Sequence, residues 1–197
     1  MLSIQGLTIG FDTGNGLTAG VEDIGFEVNR GEMVALVGES GSGKSITALS
    51  ILNLLPVPPA RVLAGRILFT GRDGRTIDLL RQPPAVMRKV RGAGIAMIFQ
   101  EPMTSLNPVF SCGDQVAEAI RTHRHQGAAN ARREAIALFE KVRLPDPERI
   151  FSSYPHQLSG GQKQRVMIAM AISGGPSMLI CDEPTTALDV TVQKTIL

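Results

Sequence analysis

The chain is poor in the features that mark most specialised classes. It has two cysteines in 197 residues, Cys112 and Cys181, far apart and in unlike contexts. That excludes a disulfide framework and gives no zinc-ligand spacing, so a reducing compartment is the simplest setting. Lys plus Arg number 20 against 18 Asp plus Glu, too small an excess to point to nucleic acid as a partner. No apolar run approaches the ~18 residues needed to span a bilayer. Residues 1–11 lack the basic start and apolar centre of a signal peptide. Repeats and low-complexity tracts are absent, and histidine is confined to His123, His125 and His156. What remains is a chain with 43% apolar residues, enough for the core of one domain with a sub-lobe.

Its order can be read from patterning. Residues 2–11 and 21–28 alternate as antiparallel strands around the Gly-rich turn DTGNG. An apolar run at 33–37 predicts a buried strand, and residues 45–55 repeat at helical spacing until Pro56. Between Pro56 and Arg91 the punctuation by Pro and Gly predicts a surface excursion with one strand at 66–70. A strand returns at 95–99. From Glu101 to Pro155 the character is helical, with Ala135, Leu138, Phe139 and Val142 in one stripe behind Asn130 as N-cap.

Three motifs carry chemistry. In GESGSGKS, the stretch Gly38, Glu39, Ser40, Gly41, Ser42, Gly43, Lys44 and Ser45, followed by Ile46, lies between a predicted strand and a predicted helix. Glycines there let successive backbone N–H groups close around a β-phosphate at a helix N-terminus. Lys44 would bridge the β- and γ-phosphates, and Ser45 would ligate Mg²⁺. In MLICDEP an apolar run ends in Asp182 and Glu183, whose side chains leave a strand on opposite faces and so can take different tasks. Asp182 would hold Mg²⁺ and Glu183 would polarise the water that attacks the γ-phosphate. In LSGGQKQR, Ser159 and Gln162 have capping-box spacing before a helix apolar on nearly every side, and Gly160 and Gly161 bare the backbone at its start. In isolation SGGQ reads first as a plain helix cap, and an acidic strand end as a solvated terminus; the P-loop beside them and the resemblance below reverse both readings.

Together these stretches resemble the nucleotide-binding domain of ABC transporters over almost the whole chain. The resemblance implies an α/β fold: a P-loop NTPase (RecA-like) core with an N-terminal antiparallel β subdomain and an inserted α-helical subdomain. It implies one domain over 1–197, with 1–100 and 160–197 as core and about 101–159 as helical subdomain. Ser159, Gly160, Gly161 and Gln162 would face the γ-phosphate of ATP held by an opposing subunit in a head-to-tail dimer. Gln100 matches the glutamine that senses Mg²⁺ and the attacking water, Asp189 the aspartate that crosses the dimer interface, and Phe11 the aromatic that stacks on adenine.

MIFQEPMTSLNPV, YPHQLSGGQKQRVMIAMA and DEPTTALDVTVQ narrow the resemblance to importers of dipeptides, oligopeptides, glutathione, nickel and microcin-like peptides. The implied cofactors are ATP and Mg²⁺. The implied partners are a second ATPase subunit, two membrane permeases and, indirectly, an extracytoplasmic solute-binding protein, with no nucleic acid. The implied location is the cytoplasmic face of the bacterial inner membrane, and residues after Gln100 would help receive the permease's coupling helix.

Two features depart from the family. All three histidines precede the Asp182–Glu183 pair, so no residue matches the switch histidine, and the sequence stops at Leu197 where further strands would be expected. The expectation is a cassette cut short. Cys181 stands where the subfamily commonly has alanine, and a small buried thiol is expected. A soluble ABC protein of translation or DNA maintenance, and a fragment that binds ATP without turnover, remain open alternatives.

Overall fold

The computed structural model describes residues 1–14, 16–99 and 106–182. Gln100, Glu183 and Asp189 therefore lie outside the described residues. The chain forms two compact units, 1–94 and 95–197.

The first unit is built on a four-stranded antiparallel sheet, ordered β2-β1-β3-β4. Its strands are β1 (Leu2–Asp12), β2 (Leu17–Val28), β3 (Ala60–Thr70) and β4 (Thr76–Asp78). β1 pairs with β2 from Leu2↔Val28 to Asp12↔Leu17, as the alternation predicts. Leu2, Ile4, Leu7, Ile9, Ile67 and Phe69 bury its inner face. The stretch 56–91, expected as a surface excursion, instead supplies two strands of this sheet. β3 is not a short surface strand but an 11-residue neighbour of β1, paired from Leu2↔Phe69 to Phe11↔Ala60. Burial of Ile67 and Phe69 against β1 outweighs the weak strand signal of its first half.

Helix α1 (Lys44–Ile51) and helix α2 (Pro84–Val90) complete this unit. Arg91 secures the end of α1, donating to the carbonyls of Leu52 at 2.9 Å and Asn53 at 2.8 Å. The strand predicted at 33–37 does not form. Met33 is 95% and Val37 88% exposed, and residues 32–39 have no assigned strand. An apolar run becomes a buried parallel strand only between ladder partners, and 33–37 has none among the described residues.

The second unit holds a parallel pair, β5 (Ile95–Ile98) and β6 (Met178–Cys181), in register Ile95↔Met178 to Ile98↔Cys181. Around it are α3 (Cys112–Arg124), α4 (Ala128–Lys141), α5 (Pro147–Ser152) and α6 (Gly160–Ser173). Val116, Ile120, Ala135, Leu138, Phe139, Ile150 and Val166 share one core. Gly113 on α3 exists for Phe151: a Cβ there would lie 2.2 Å from the ring's Cγ, and Arg132 covers the ring 4.3 Å from its centroid. Asn130 is not the cap of α4. The helix begins at Ala128 behind Gly127, and the Asn130 carboxamide oxygen accepts from Arg133 instead.

Candidate functional site

The GESGSGKS loop, the candidate phosphate site, lies in the first unit. Gly43 is the N-cap of α1 at φ 92°, a left-handed geometry that side chains with a Cβ resist. It is buried against β2, where a Cβ would come 2.3 Å from Val21 Cγ1 and 3.1 Å from the Gly20 carbonyl. The loop before it turns through Ser42 N–H to Glu39 O at 3.2 Å and through Gly41 at φ 82°. Ser42 Oγ sits 2.6 Å from the position a Cβ on Gly38 would take. The loop residues Gly38, Glu39, Ser40, Gly41 and Ser42 are all exposed.

Helix α1 has no side-chain cap and no acidic residue in its first turn. Its amide end is thus dressed for an anionic ligand rather than for a carboxylate of its own. Thr47 binds the helix start internally, its buried Oγ1 donating to Gly43 O at 2.9 Å. Lys44 Nζ folds back along the loop and donates to the carbonyls of Gly38 and Glu39, both at 2.8 Å. The lysine is therefore already at the loop's mouth, held by backbone oxygens.

Phe11 is half-buried on β1. Its ring lies over Gly20, where a Cβ would approach Phe11 Cε2 to 2.4 Å and Ile46 Cδ1 to 3.2 Å. Phe11, Gly20 and Ile46 thus converge beside the phosphate loop. Gly20 and Val21 were not singled out from sequence, although an isolated glycine inside a strand pattern signals close approach of another group.

In the second unit the signature stretch forms the start of α6 as a complete capping box. Ser159 N–H donates to Gln162 Oε1 at 2.9 Å, and Gln162 N–H donates to Ser159 Oγ at 3.3 Å. Gly160 opens the helix with nothing within 4 Å of a virtual Cβ. Gly161 follows it within the first turn. Asp182 stands one residue beyond β6, where its N–H continues the ladder to Ile98 O at 3.0 Å. Its carboxylate thus inherits its place from the parallel pair.

Cys181 corrects the expectation of a buried thiol: it is exposed, because β6 turns alternate residues, Leu179 and Cys181, out of the packed layer. Desolvation still raises its thiol pKa, which opposes thiolate reactivity. Cys112 is fully buried, and burial pushes its thiol up to about 11 against a lowering contribution from Lys163. His156 is exposed in a 3₁₀ turn, its ring stacked 5.8 Å from that of Tyr154. His123 is half-buried on α3, and exposed His125 ends that helix at φ 52°.

A sequence model described as ABC transporter matches residues 21–186. The chain belongs to the ABC transporter family. Among its relatives, the "Glutathione import ATP-binding protein GsiA" of Salmonella typhi is 52% identical over all 197 residues. The protein of the same name from Pectobacterium atrosepticum is 50% identical. This ABC chain spans 32% of the length of each. Among solved structures it resembles "Dimeric structure of a post-hydrolysis state of the ATP-binding cassette MJ0796 bound to ADP and Pi". The TM-score is 0.85 at 27% identity, covering 100% of this chain and 79% of that one. These likenesses give the α/β fold of an ABC ATP-binding cassette.

Proposed function

We propose that this chain is the ATP-binding and ATP-hydrolysing cassette of an importer for glutathione, peptides or related small solutes. One observation carries the reading: an uncapped helix start, entered through left-handed Gly43 seated on Val21, with Lys44 across the loop. Relatives at 50–52% identity named for glutathione import support the solute class.

In this reading the amides of the loop from Gly38 to Gly43 and the first turn of α1 take the phosphates. Lys44 exchanges its two carbonyl partners for phosphate oxygens, and Phe11 stacks on adenine. Ser45, Asp182 and Gln100 are the oxygen donors for Mg²⁺. In donor chemistry they suit it, since a hydroxyl, a carboxylate and a carboxamide offer the hard oxygens that Mg²⁺ would take beside phosphate and water. When bound, the ion would supply neutralisation of phosphate charge.

Glu183 accepts the proton of the attacking water as its oxygen bonds to the γ-phosphorus and the bond to the leaving ADP breaks. Ser159, Gly160 and Gly161 face the γ-phosphate of a second ATPase subunit in a head-to-tail dimer, and Gln162 holds Ser159 in place. Asp189 contributes at that dimer interface. Two permeases receive the motion, and a solute-binding protein supplies the cargo. No helix among the described residues is long and apolar enough to cross a membrane. The location proposed, from the likeness to import ATP-binding proteins, is peripheral, at the cytoplasmic face of the inner membrane.

The test is ATP binding, turnover and glutathione or dipeptide uptake by the full protein carrying Lys44→Ala or Glu183→Gln. Lys44→Ala is expected to weaken ATP binding at least tenfold. Glu183→Gln is expected to bind ATP and trap a dimer without turnover, and both stop uptake. Wild-type turnover by Glu183→Gln would overturn the reading.

A further inference from the structure

Helix α4 ends at Lys141, Val142 caps it, and Arg143 follows at φ 55°. A left-handed conformation is disfavoured for a residue with a Cβ, so something must hold it. Part of the answer is local. Arg143 N–H donates to Glu140 O and Leu144 N–H to Phe139 O, both at 2.9 Å, and Phe139 and Leu144 are buried in the core. This closes the helix end in the manner of a left-handed C-terminal motif.

The Arg143 carbonyl accepts from Arg165 Nη1 at 2.5 Å, a contact between residues 22 apart in sequence. Arg165 lies on α6, six residues beyond Ser159, half-buried between Gln164 and Val166, which are 3% and 0% exposed. The acceptor stands at the negative end of the α4 dipole, where a guanidinium is favoured twice, by charge and by hydrogen bond. One side chain thus bypasses α5, the 3₁₀ turn and the signature loop, and ties the start of α6 directly to the end of α4.

We propose that Arg165 is a positioning residue for the signature. Through the Arg143 carbonyl it fixes the first turns of α6, and with them Ser159, Gly160 and Gly161, in the place from which they meet the opposing subunit's nucleotide. This rests on the reading of Ser159 to Gly161 as phosphate-facing. A backbone acceptor makes two demands: the side chain at 165 must be long and carry a donor, best a charged one, and the side chain at 143 is dispensable.

The experiment compares Arg165→Ala, Arg165→Lys and Arg143→Gly in the full protein. It reads nucleotide binding to the phosphate loop, turnover as a function of ATP concentration, and thermal melting. Arg165→Ala is expected to bind nucleotide as wild type does and to lose at least tenfold in kcat. Arg165→Lys, with one donor in place of the fork, recovers part of that loss at wild-type melting temperature. Arg143→Gly keeps wild-type turnover, since glycine takes φ 55° freely and retains the carbonyl.

Wild-type kcat in both Arg165 variants overturns the proposal. So does a loss in Arg143→Gly equal to that in Arg165→Ala, or a loss that merely tracks the folded fraction. Should Arg165→Ala fail to fold, the lysine and glycine variants decide. Ser159→Arg is run beside them: if it turns over normally the signature reading itself fails. If it is inactive while the Arg165 variants are not, only the role of Arg165 fails.

Discussion

A Cβ on Gly43 would lie 2.3 Å from Val21 Cγ1. The phosphate loop therefore rests on β2, and its shape depends on a hydrogen atom standing where every other residue carries carbon. Gly43→Ala meets both this clash and φ 92°, and should cost about 1–3 kcal/mol of stability and most of the ATP affinity. Gly41→Ala meets φ 82° with nothing within 4 Å, so only the backbone strain of about 1–2 kcal/mol applies. Melting curves and nucleotide titrations of the two variants separate seat from strain.

Gly20→Ala tests the aromatic contact from beneath. The new methyl would sit 2.4 Å from Phe11 Cε2 and must lift the ring. If Phe11 stacks on adenine, this variant weakens ATP binding about as much as Phe11→Ala does, by roughly 1–3 kcal/mol for a base on an aromatic face. Inorganic tripolyphosphate, lacking a base, should bind both variants as it binds wild type. Equal weakening for both ligands would remove Phe11 from the adenine site.

Much of the local structure around the candidate site was legible because its motifs are local. The Ser159–Gln162 box, the helix at Lys44 and the β1–β2 hairpin depend on residues a few positions apart or on strict alternation. The failures share a cause of the opposite kind. Residues 33–37 read as a strand from composition alone, but a strand exists only by pairing, and Met33 and Val37 are left open. β3 read short because Arg61, Gly65 and the preceding prolines weaken its propensity. Its partner β1 nevertheless recruits the whole segment, with Gly65 at φ 100° where a Cβ would come 2.6 Å from the Gly6 carbonyl. Gly20 and Arg165 escaped notice because their partners, Phe11 and the Arg143 carbonyl, are distant in sequence.

The capping box predicts a split between two substitutions. Gln162→Glu keeps an acceptor for Ser159 N–H and preserves the helix start. Gln162→Ala removes it, at a cost of about 0.5–1.5 kcal/mol for one hydrogen bond. Amide exchange at Ser159, measured without nucleotide, should quicken in the alanine variant and stay slow in the glutamate variant. Equally slow exchange in both would show that Gln162 does not hold the amide.

Cys112 gives the protein a basic-side weakness. Its thiol is raised from an ordinary 9.0 to about 11 by burial, so the folded state keeps a proton that the unfolded state releases first. The sign follows from linkage: the contribution to stability is whole below about pH 9 and is lost as pH rises toward 11. Denaturant midpoints measured across that window should fall in wild type and fall less in Cys112→Ala. Parallel slopes would assign the loss to other groups.

The two 2.8 Å bonds from Lys44 to the carbonyls of Gly38 and Glu39 also bear on which anions the loop can keep. An arriving anion must compete for a cation that already has two partners. A lone orthophosphate offers little beyond that ammonium, whereas a nucleotide triphosphate spreads its contacts over the loop amides as well. If the loop takes phosphates as proposed, these two bonds disfavour lone orthophosphate relative to a nucleotide triphosphate.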